Sequence, residues 1–204
     1  MAVGTRKAEL KLVGPDGVEI DLSPLQGMWT EEQYLALTNQ TNQLMEFTDG
    51  TFEVLPMPTS SHQVIVAFLY DLFRAIVGQT GGKVLFAPLR LRVRPGKLRE
   101  PDILLLLDAA DSRYQDAYWL GADLVVEIVS PDGAERDTEQ KPLDYAEAGI
   151  PEYWIVNPLD ATITVLTLDG PSYRLHGRFG RGERATSRLL AEFGVSVDEV
   201  FDAK

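Results

Sequence analysis

The sequence of 204 residues contains no cysteine, only two histidines, and 19 basic residues against 31 acidic ones. The missing thiols exclude disulfides, thiolate metal sites and a cysteine nucleophile, and a reducing interior is the expected setting. A formal net charge of −12 argues against coating nucleic acid nonspecifically, so any such contact must be local, through clustered basic residues or a metal that screens the acids. No apolar run approaches the roughly 20 residues needed to cross a bilayer. The start of the chain also lacks the basic-then-apolar pattern of a signal peptide. The expectation is a cytoplasmic protein with no membrane partner. What remains is ordinary for a globular chain, with 45% hydrophobic and 25% charged residues, and long enough to enclose a real core as one domain.

One residue breaks that ordinariness. Glu127 interrupts the apolar run Leu124-Val125-Val126-Glu127-Ile128-Val129, which reads as a strand buried on both faces. Desolvating a carboxylate there costs several kcal/mol unless a cation or hydrogen-bond donors compensate. A positive group is therefore expected beside Glu127. A second acid, Asp102, precedes another strand-like run, Ile103-Leu104-Leu105-Leu106-Leu107, and Lys141 follows in a polar stretch leading toward a helix.

The flanking pattern sets these residues in an α/β order. The first 25 residues, with Gly14-Pro15-Asp16-Gly17 between short alternating segments, suggest a peripheral hairpin. Thr30 and Gln33 form a capping-box signal for a helix over Glu31 to Thr38. Asp49-Gly50 marks a two-residue turn between strands within Leu44 to Leu55. Ser60 with Gln63, followed by Ile65, Leu69, Leu72 and Ile76, predicts a four-turn helix ending near Gly78. Strands follow over Lys83 to Val93, Asp102 to Leu107 and Asp123 to Val129, then a helix from Pro142 to Ala148 stopped by Gly149. Further strands are expected over Tyr153 to Val156, Thr162 to Leu168 and Tyr173 to His176. A basic loop, Arg178 to Arg188, and a short apolar segment end the chain.

Asp102 and Glu127 can meet only if their strands are neighbours, which short connections favour. Hard oxygen ligands suit Mg²⁺ or Mn²⁺, and two carboxylates with a lysine are the parts of metal-assisted phosphodiester hydrolysis. Each residue also has a plainer reading. Asp102 could bond loop amides, Glu127 could pair with an arginine such as Arg92, and Lys141 could pair with Asp137 across one helical turn. Glu46 is either an extra acid at the site or a sheet-edge charge. His62 is either a base or phosphate contact, or a helix-start residue. His176 reads as structural, and Ser130 lacks the Gly-x-Ser-x-Gly surroundings of a hydrolase serine. In Leu89-Arg90-Leu91-Arg92-Val93-Arg94 the arginines alternate with apolar residues, so a strand there lines one face with positive charge, and Lys97 and Arg99 extend the cluster.

Glu100-Pro101-Asp102, the run Asp123 to Pro131 containing Glu127, then Asp137, Lys141, Tyr145 and Gly149-Ile150-Pro151-Glu152-Tyr153-Trp154-Ile155-Val156 together resemble the Uma2-type restriction endonucleases, also called DUF820, of the PD-(D/E)XK nuclease superfamily. Met45 to Gly50 and Ser61-His62-Gln63 are similar to that family's N-terminal half. The resemblance spans about Trp29 to Leu168. It implies a restriction-endonuclease-like mixed β-sheet flanked by helices, with an N-terminal β-hairpin extension. It implies that Asp102 and Glu127 bind Mg²⁺, with Mn²⁺ as a substitute and the Ile128 carbonyl as a further ligand. The superfamily lysine stands two residues after the second acid, which is Val129 here, so Lys141 takes that part. The expected division is one domain, with residues 1–28 peripheral, 29–168 the nuclease-like core and 169–204 a C-terminal extension.

The function expected on this basis is Mg²⁺-dependent hydrolysis of DNA, contacted through Arg90, Arg92, Arg94, Lys97 and Arg99, by a chain that forms a homodimer to cut both strands. Glu46 and His62 are accessory candidates. Two other readings stand beside it: a catalytically inactive module of the same fold that binds nucleic acid or protein, and an unrelated metal-dependent hydrolase of small phosphoesters.

Overall fold

The computed structural model describes residues 11–13, 17–41 and 43–204. In chain order its elements are β1 (Lys11–Val13), β2 (Glu19–Asp21), α1 (Glu31–Thr38), β3 (Met45–Thr48), β4 (Thr51–Val54), α2 (Ser60–Thr80), β5 (Lys83–Phe86), β6 (Leu91–Arg94) and β7 (Lys97–Arg99). Then come β8 (Ile103–Leu106), β9 (Leu124–Ile128), α3 (Lys141–Glu147), β10 (Glu152–Asn157), β11 (Thr162–Asp169), β12 (Ser172–Phe179), β13 (Arg184–Thr186), β14 (Gly194–Ser196) and α4 (Val197–Phe201).

These elements fall into two compact units, where a single domain was expected. The smaller takes its residues from Met1–Met57 and Pro95–Arg99, the larger from Pro58–Arg94 and Glu100–Lys204. The boundary at residue 28 therefore does not separate a periphery from a core, because residues 29–57 belong with the N-terminal segment.

In the smaller unit β1 and β2 form an antiparallel hairpin, while residues 14–16 of the expected turn lie outside the described residues. The Thr30 and Gln33 capping box is present, and α1 occupies the expected span. β3 lies between β4 and β7, antiparallel to both. Asp49 and Gly50 both take positive φ, 45° and 86°, as a type I′ hairpin turn requires. A Cβ at Gly50 would come within 2.6 Å of the Gly27 carbonyl oxygen, so only glycine fits. Tyr34, Met45, Phe47, Phe52 and Leu98 fill the core of this unit.

The larger unit carries the order α2, β5, β8, β9, α3, β10, with one mixed sheet arranged β12-β11-β10-β9-β8-β5. β9 and β10 run parallel, and every other pair is antiparallel. A parallel neighbour needs a crossover, which the stretch containing α3 supplies. Alternation along β8 and β9 splits their side chains between two cores. Ile103, Leu105, Leu124, Val126 and Ile128 pack with α2, whereas Leu104, Leu106, Val125 and Val129 pack with Tyr145 and Ile150 on the other face. Both faces are covered, which is why these strands read as unbroken apolar runs.

Three boundaries differ from expectation for local reasons. The cap of α2 is Thr59, whose side chain accepts the His62 N–H, and the helix passes through Gly78 to end at Gly81, where φ is 84°. The strand expected over Lys83 to Val93 breaks after Phe86, at Ala87-Pro88, because proline cannot donate to a ladder; β6 then bridges to Trp119. Residues 169–204 are no appendage. β12 is a full strand of the main sheet, and Ala185, Leu190, Phe193, Val195, Val197 and Val200 are buried in the same core as α2.

Candidate active site

The register of β8 against β9 sets the site. Ile103 stands opposite Val126, and one step outward places Asp102 opposite Glu127. Directly opposed residues on an antiparallel pair hold their Cβ atoms about 5 Å apart. Glu127 shares a sheet face with Val125 and Val129, so its side chain is directed to the α3 layer and is only 3% exposed.

The positive group demanded by that burial is Lys141. Its amine lies 2.7 Å from Glu127 Oε1 and 3.2 Å from Asp137 Oδ1. Asp137, the partner expected for this lysine, is thus engaged together with Glu127. Arg92, the cation considered for Glu127, instead has its guanidinium 5.8 Å from the centre of the Tyr118 ring. The helix reaches this arrangement through a π-helical turn, Arg136–Gln140, in which the Lys141 N–H donates to the Arg136 carbonyl five residues back. Pro142 follows within the first turn of α3; it has no N–H and its ring crowds a regular preceding turn, so the widened turn sits where proline disturbs the ladder. Such single π turns recur at functional sites.

Two tyrosines complete this layer. The Tyr145 hydroxyl, one helical turn beyond Lys141, donates to the same Glu127 oxygen that receives the amine. The Tyr153 hydroxyl donates to the Asp137 carbonyl at 2.8 Å, and its ring meets Tyr145 edge-on at 5.0 Å. Burial raises the Tyr153 hydroxyl pKa well above its ordinary value, and the nearby charges of Glu127 and Asp137 push it further. Tyr153 therefore stays a neutral donor.

On Asp102, Oδ2 accepts the Ile128 N–H at 2.7 Å and faces His62 Nε2 at 3.2 Å. Oδ1 has no hydrogen-bonding partner among the described residues. Burial would lower the His62 pKa, but the hydrogen bond to Asp102 and its charge, with the Ile128 carbonyl and Asp137, outweigh it and raise the pKa above its ordinary value. Asp102 and Glu127 thus lie on neighbouring strands, with the Ile128 backbone beside them. Among the described residues no group of three or more aspartate, glutamate and histidine side chains gathers as a metal cluster. Two carboxylates and a carbonyl fit an ion that keeps several of its waters, as Mg²⁺ does, and do not make a closed protein cage.

A family model described as "Putative restriction endonuclease", Uma2, matches residues 31–198. The chain belongs to the Uma2 family. The crystal structure of a "putative nuclease belonging to DUF820" from Anabaena variabilis ATCC 29413 superposes with a TM-score of 0.67 at 18% identity, covering 82% of this chain and 97% of that one. At that identity the likeness speaks for the fold, a mixed sheet flanked by helices. No curated protein matches the sequence. Among the described residues no helix is long and apolar enough to cross a membrane.

Other candidates on this Uma2 chain have surroundings of their own. Glu46 is buried on β3 of the smaller unit, in the middle of a sheet and not at its edge, with Arg99 Nε 3.5 Å away. Three members of the basic cluster face acids: Arg90 lies 3.8 Å from Glu100, Arg94 2.9 Å from Glu147, and Arg99 beside Glu46. Lys97 and Arg99 belong to the smaller unit and the other three to the larger. His176 bonds Thr186 at 3.0 Å on the surface. The pairing of Asp137 with Lys141 was among the sequence readings, whereas the part of Tyr145 on Glu127 went unread, although its spacing of four residues from Lys141 places it on the same helical stripe.

Proposed function

We propose that this chain is a metal-dependent endonuclease that hydrolyses DNA phosphodiester bonds. The reading is carried by one observation: a buried lysine amine 2.7 Å from a strand glutamate that stands opposite an aspartate on the neighbouring strand. Family membership and fold support it.

Asp102, Glu127 and the Ile128 carbonyl are the groups that would hold Mg²⁺, or Mn²⁺ in its place. When bound, such an ion supplies a water of lowered pKa and neutralises charge on the phosphate. The chain's own contribution is positioning. The Ile128 N–H and His62 fix Asp102, while Lys141 and Tyr145 fix Glu127. The Lys141 ammonium donates to the attacking water or the developing oxyanion, acting from a buried place where a fixed charge is worth more than in water. Asp137 holds the amine from the other side. DNA is met locally, with Arg90, Arg92 and Arg94 the cluster members that share the larger unit with Asp102, and two copies of the chain are the economical route to cutting both strands.

The decisive experiment is cleavage of plasmid DNA in Mg²⁺ and in EDTA by the wild-type chain, Asp102→Ala and Glu127→Ala. Cleavage by the wild type in Mg²⁺ alone is expected, with loss in both variants and retained circular dichroism. A folded Asp102→Ala or Glu127→Ala that still cuts like the wild type would sink the reading. An inactive binding module of the same fold would show no metal binding at millimolar Mg²⁺ by calorimetry, and a phosphoesterase would turn over model phosphodiesters but leave plasmid intact.

A further inference from the structure

The connection from β9 to α3 carries three residues that the reading above leaves unused: Ser130, Gly133 and Arg136. It starts just past Ile128, at the carboxyl end of the strand that holds Glu127. A Cβ added to Gly133 would lie 2.7 Å from Arg136 Nη2 and 2.8 Å from Ser130 Oγ, closer than real Cβ contacts allow. Gly133 is buried and its φ lies outside the left-handed region, so what asks for glycine here is room and not backbone conformation. The bare backbone lets a guanidinium and a hydroxyl close over one spot. The Ser130 hydroxyl has no hydrogen-bonding partner among the described residues; the Gly133 N–H closes the turn on the Ser130 carbonyl instead, at 3.0 Å.

Arg136 is joined to the site through one atom. Asp137 Oδ1 lies 3.4 Å from Arg136 Nε and 3.2 Å from the Lys141 amine, so the two cations flank a single carboxylate oxygen. They differ in exposure, 2% for the Lys141 side chain and 17% for that of Arg136. Arg136 is thus the cation of the pair that solvent, and therefore a substrate, can reach. A guanidinium presents its N–H donors in a planar fork that matches a phosphate, and the serine beside it adds a neutral donor. Asp132, Glu135 and Glu139 on the same connection are exposed and repel an anion at long range, so contact here depends on short hydrogen bonds and not on a positive field. We propose that Ser130 and Arg136 bind a backbone phosphate of the DNA strand, flanking the one that is cut, over the bare face of Gly133. The inference rests on the nuclease reading above and adds the residues that hold the strand beside the reacting group.

The test reads DNA binding and not cleavage. A fluorescein-labelled duplex is titrated with the full chain in EDTA over a series of NaCl concentrations, and fluorescence anisotropy gives the affinity and its dependence on salt. Loss of one phosphate contact by a cation makes the slope of log affinity against log salt shallower by about 0.9. Arg136→Gln is expected to show that change and to bind roughly tenfold more weakly at the lowest salt, the lower end for a hydrogen bond to a charged group. Ser130→Ala removes a neutral donor, so affinity falls by about threefold at the wild-type slope; wild-type affinity there removes Ser130 from the site. Gly133→Ala keeps every charge, pushes both donors aside and also weakens binding. Were Arg136 only a partner of Asp137, Arg136→Gln would melt at a lower temperature with its slope unchanged, and that result overturns the inference while the nuclease reading stands. If Arg136→Gln does not fold, Gly133→Ala decides alone, and wild-type affinity there overturns the inference. A wild-type chain that cuts plasmid in Mg²⁺ but binds the duplex with no dependence on salt overturns this inference alone, and one that neither binds nor cuts overturns the nuclease reading with it.

Discussion

Two glutamates in the main sheet, Glu127 near the end of β9 and Glu152 at the start of β10, are almost equally buried, at 3% and 1% exposure, and are met by donors of different charge. Glu152 uses both oxygens: Oε1 accepts from Trp154 Nε1 and Ser187 Oγ, each at 2.7 Å, and Oε2 accepts the Arg188 and Leu189 N–H groups, each at 2.8 Å. All four donors are neutral, and three belong to the segment before β14. That carboxylate is closed, and its task is to tie the C-terminal segment to the sheet. Glu127 is met by an ammonium and a phenol on Oε1. The lesson is that equal burial can be met by different chemistry: Glu152 is held by neutral donors alone, whereas Glu127 is paired with a buried cation.

The comparison is broken most severely by exchanging each glutamate for glutamine. Glu127→Gln is expected to lower plasmid cleavage by at least about 10³-fold, equivalent to about 4 kcal/mol, with the fold intact, since Lys141 keeps Asp137 as a partner. Cleavage in Mg²⁺ and a thermal melt read the two quantities. Should Glu127→Gln cut normally, the pairing of Glu127 with a buried cation has no catalytic meaning. Next in size is Lys141→Met, which leaves Glu127 and Asp137 buried without their shared cation. Removing one partner of a buried pair costs about 3–5 kcal/mol, read as a lowered urea midpoint. The double variant Glu127→Gln with Lys141→Met should recover part of that loss, because one of the two uncompensated charges is then removed while that of Asp137 remains.

Glu152→Gln inverts the pattern. An amide in place of the carboxylate turns an NH₂ toward one pair of donors, leaving buried groups unsatisfied at about 1–3 kcal/mol. Stability falls, while Mg²⁺ affinity measured by calorimetry stays at the wild-type value. A loss of metal affinity in Glu152→Gln equal to that in Glu127→Gln would erase the distinction between the two acids.

Local chemistry made much of this legible. The capping box at Thr30, the Asp49-Gly50 turn and the apolar runs of β8 and β9 are contained in a few adjacent residues, and each appears where expected. The need for a cation beside Glu127 was also readable, since it follows from desolvation alone. Its identity was harder, because it depends on how α3 returns across the sheet. Lys141 reaches Glu127 through a π-helical turn, a backbone irregularity that no apolar period announces. Strand limits set by tertiary pairing were likewise hidden, as in the separation of β5 from β6 and the full length of β12. So was the division into units, because Pro95–Arg99 joins a group of residues distant in sequence.

The gentlest probe of the comparison is Ser187→Ala. The Ser187 hydroxyl donates to Glu152 Oε1 and accepts the Leu190 N–H at 2.8 Å, so its loss removes two hydrogen bonds near the buried carboxylate, while Trp154 and two backbone N–H groups still hold Glu152. The expected cost is about 1–2 kcal/mol, smaller than for Glu152→Gln because the charged acceptor keeps three of its four donors. Since the segment 187–190 is tied through Glu152 to the first residue of β10, hydrogen exchange should quicken at Arg188 and Leu189 and stay unchanged at Ile128, whose N–H is held by Asp102 on β9's far side. Faster exchange at Ile128 in Ser187→Ala would mean that the tie at Glu152 and the acids of the site loosen together, and that the two glutamates differ in partners but not in function.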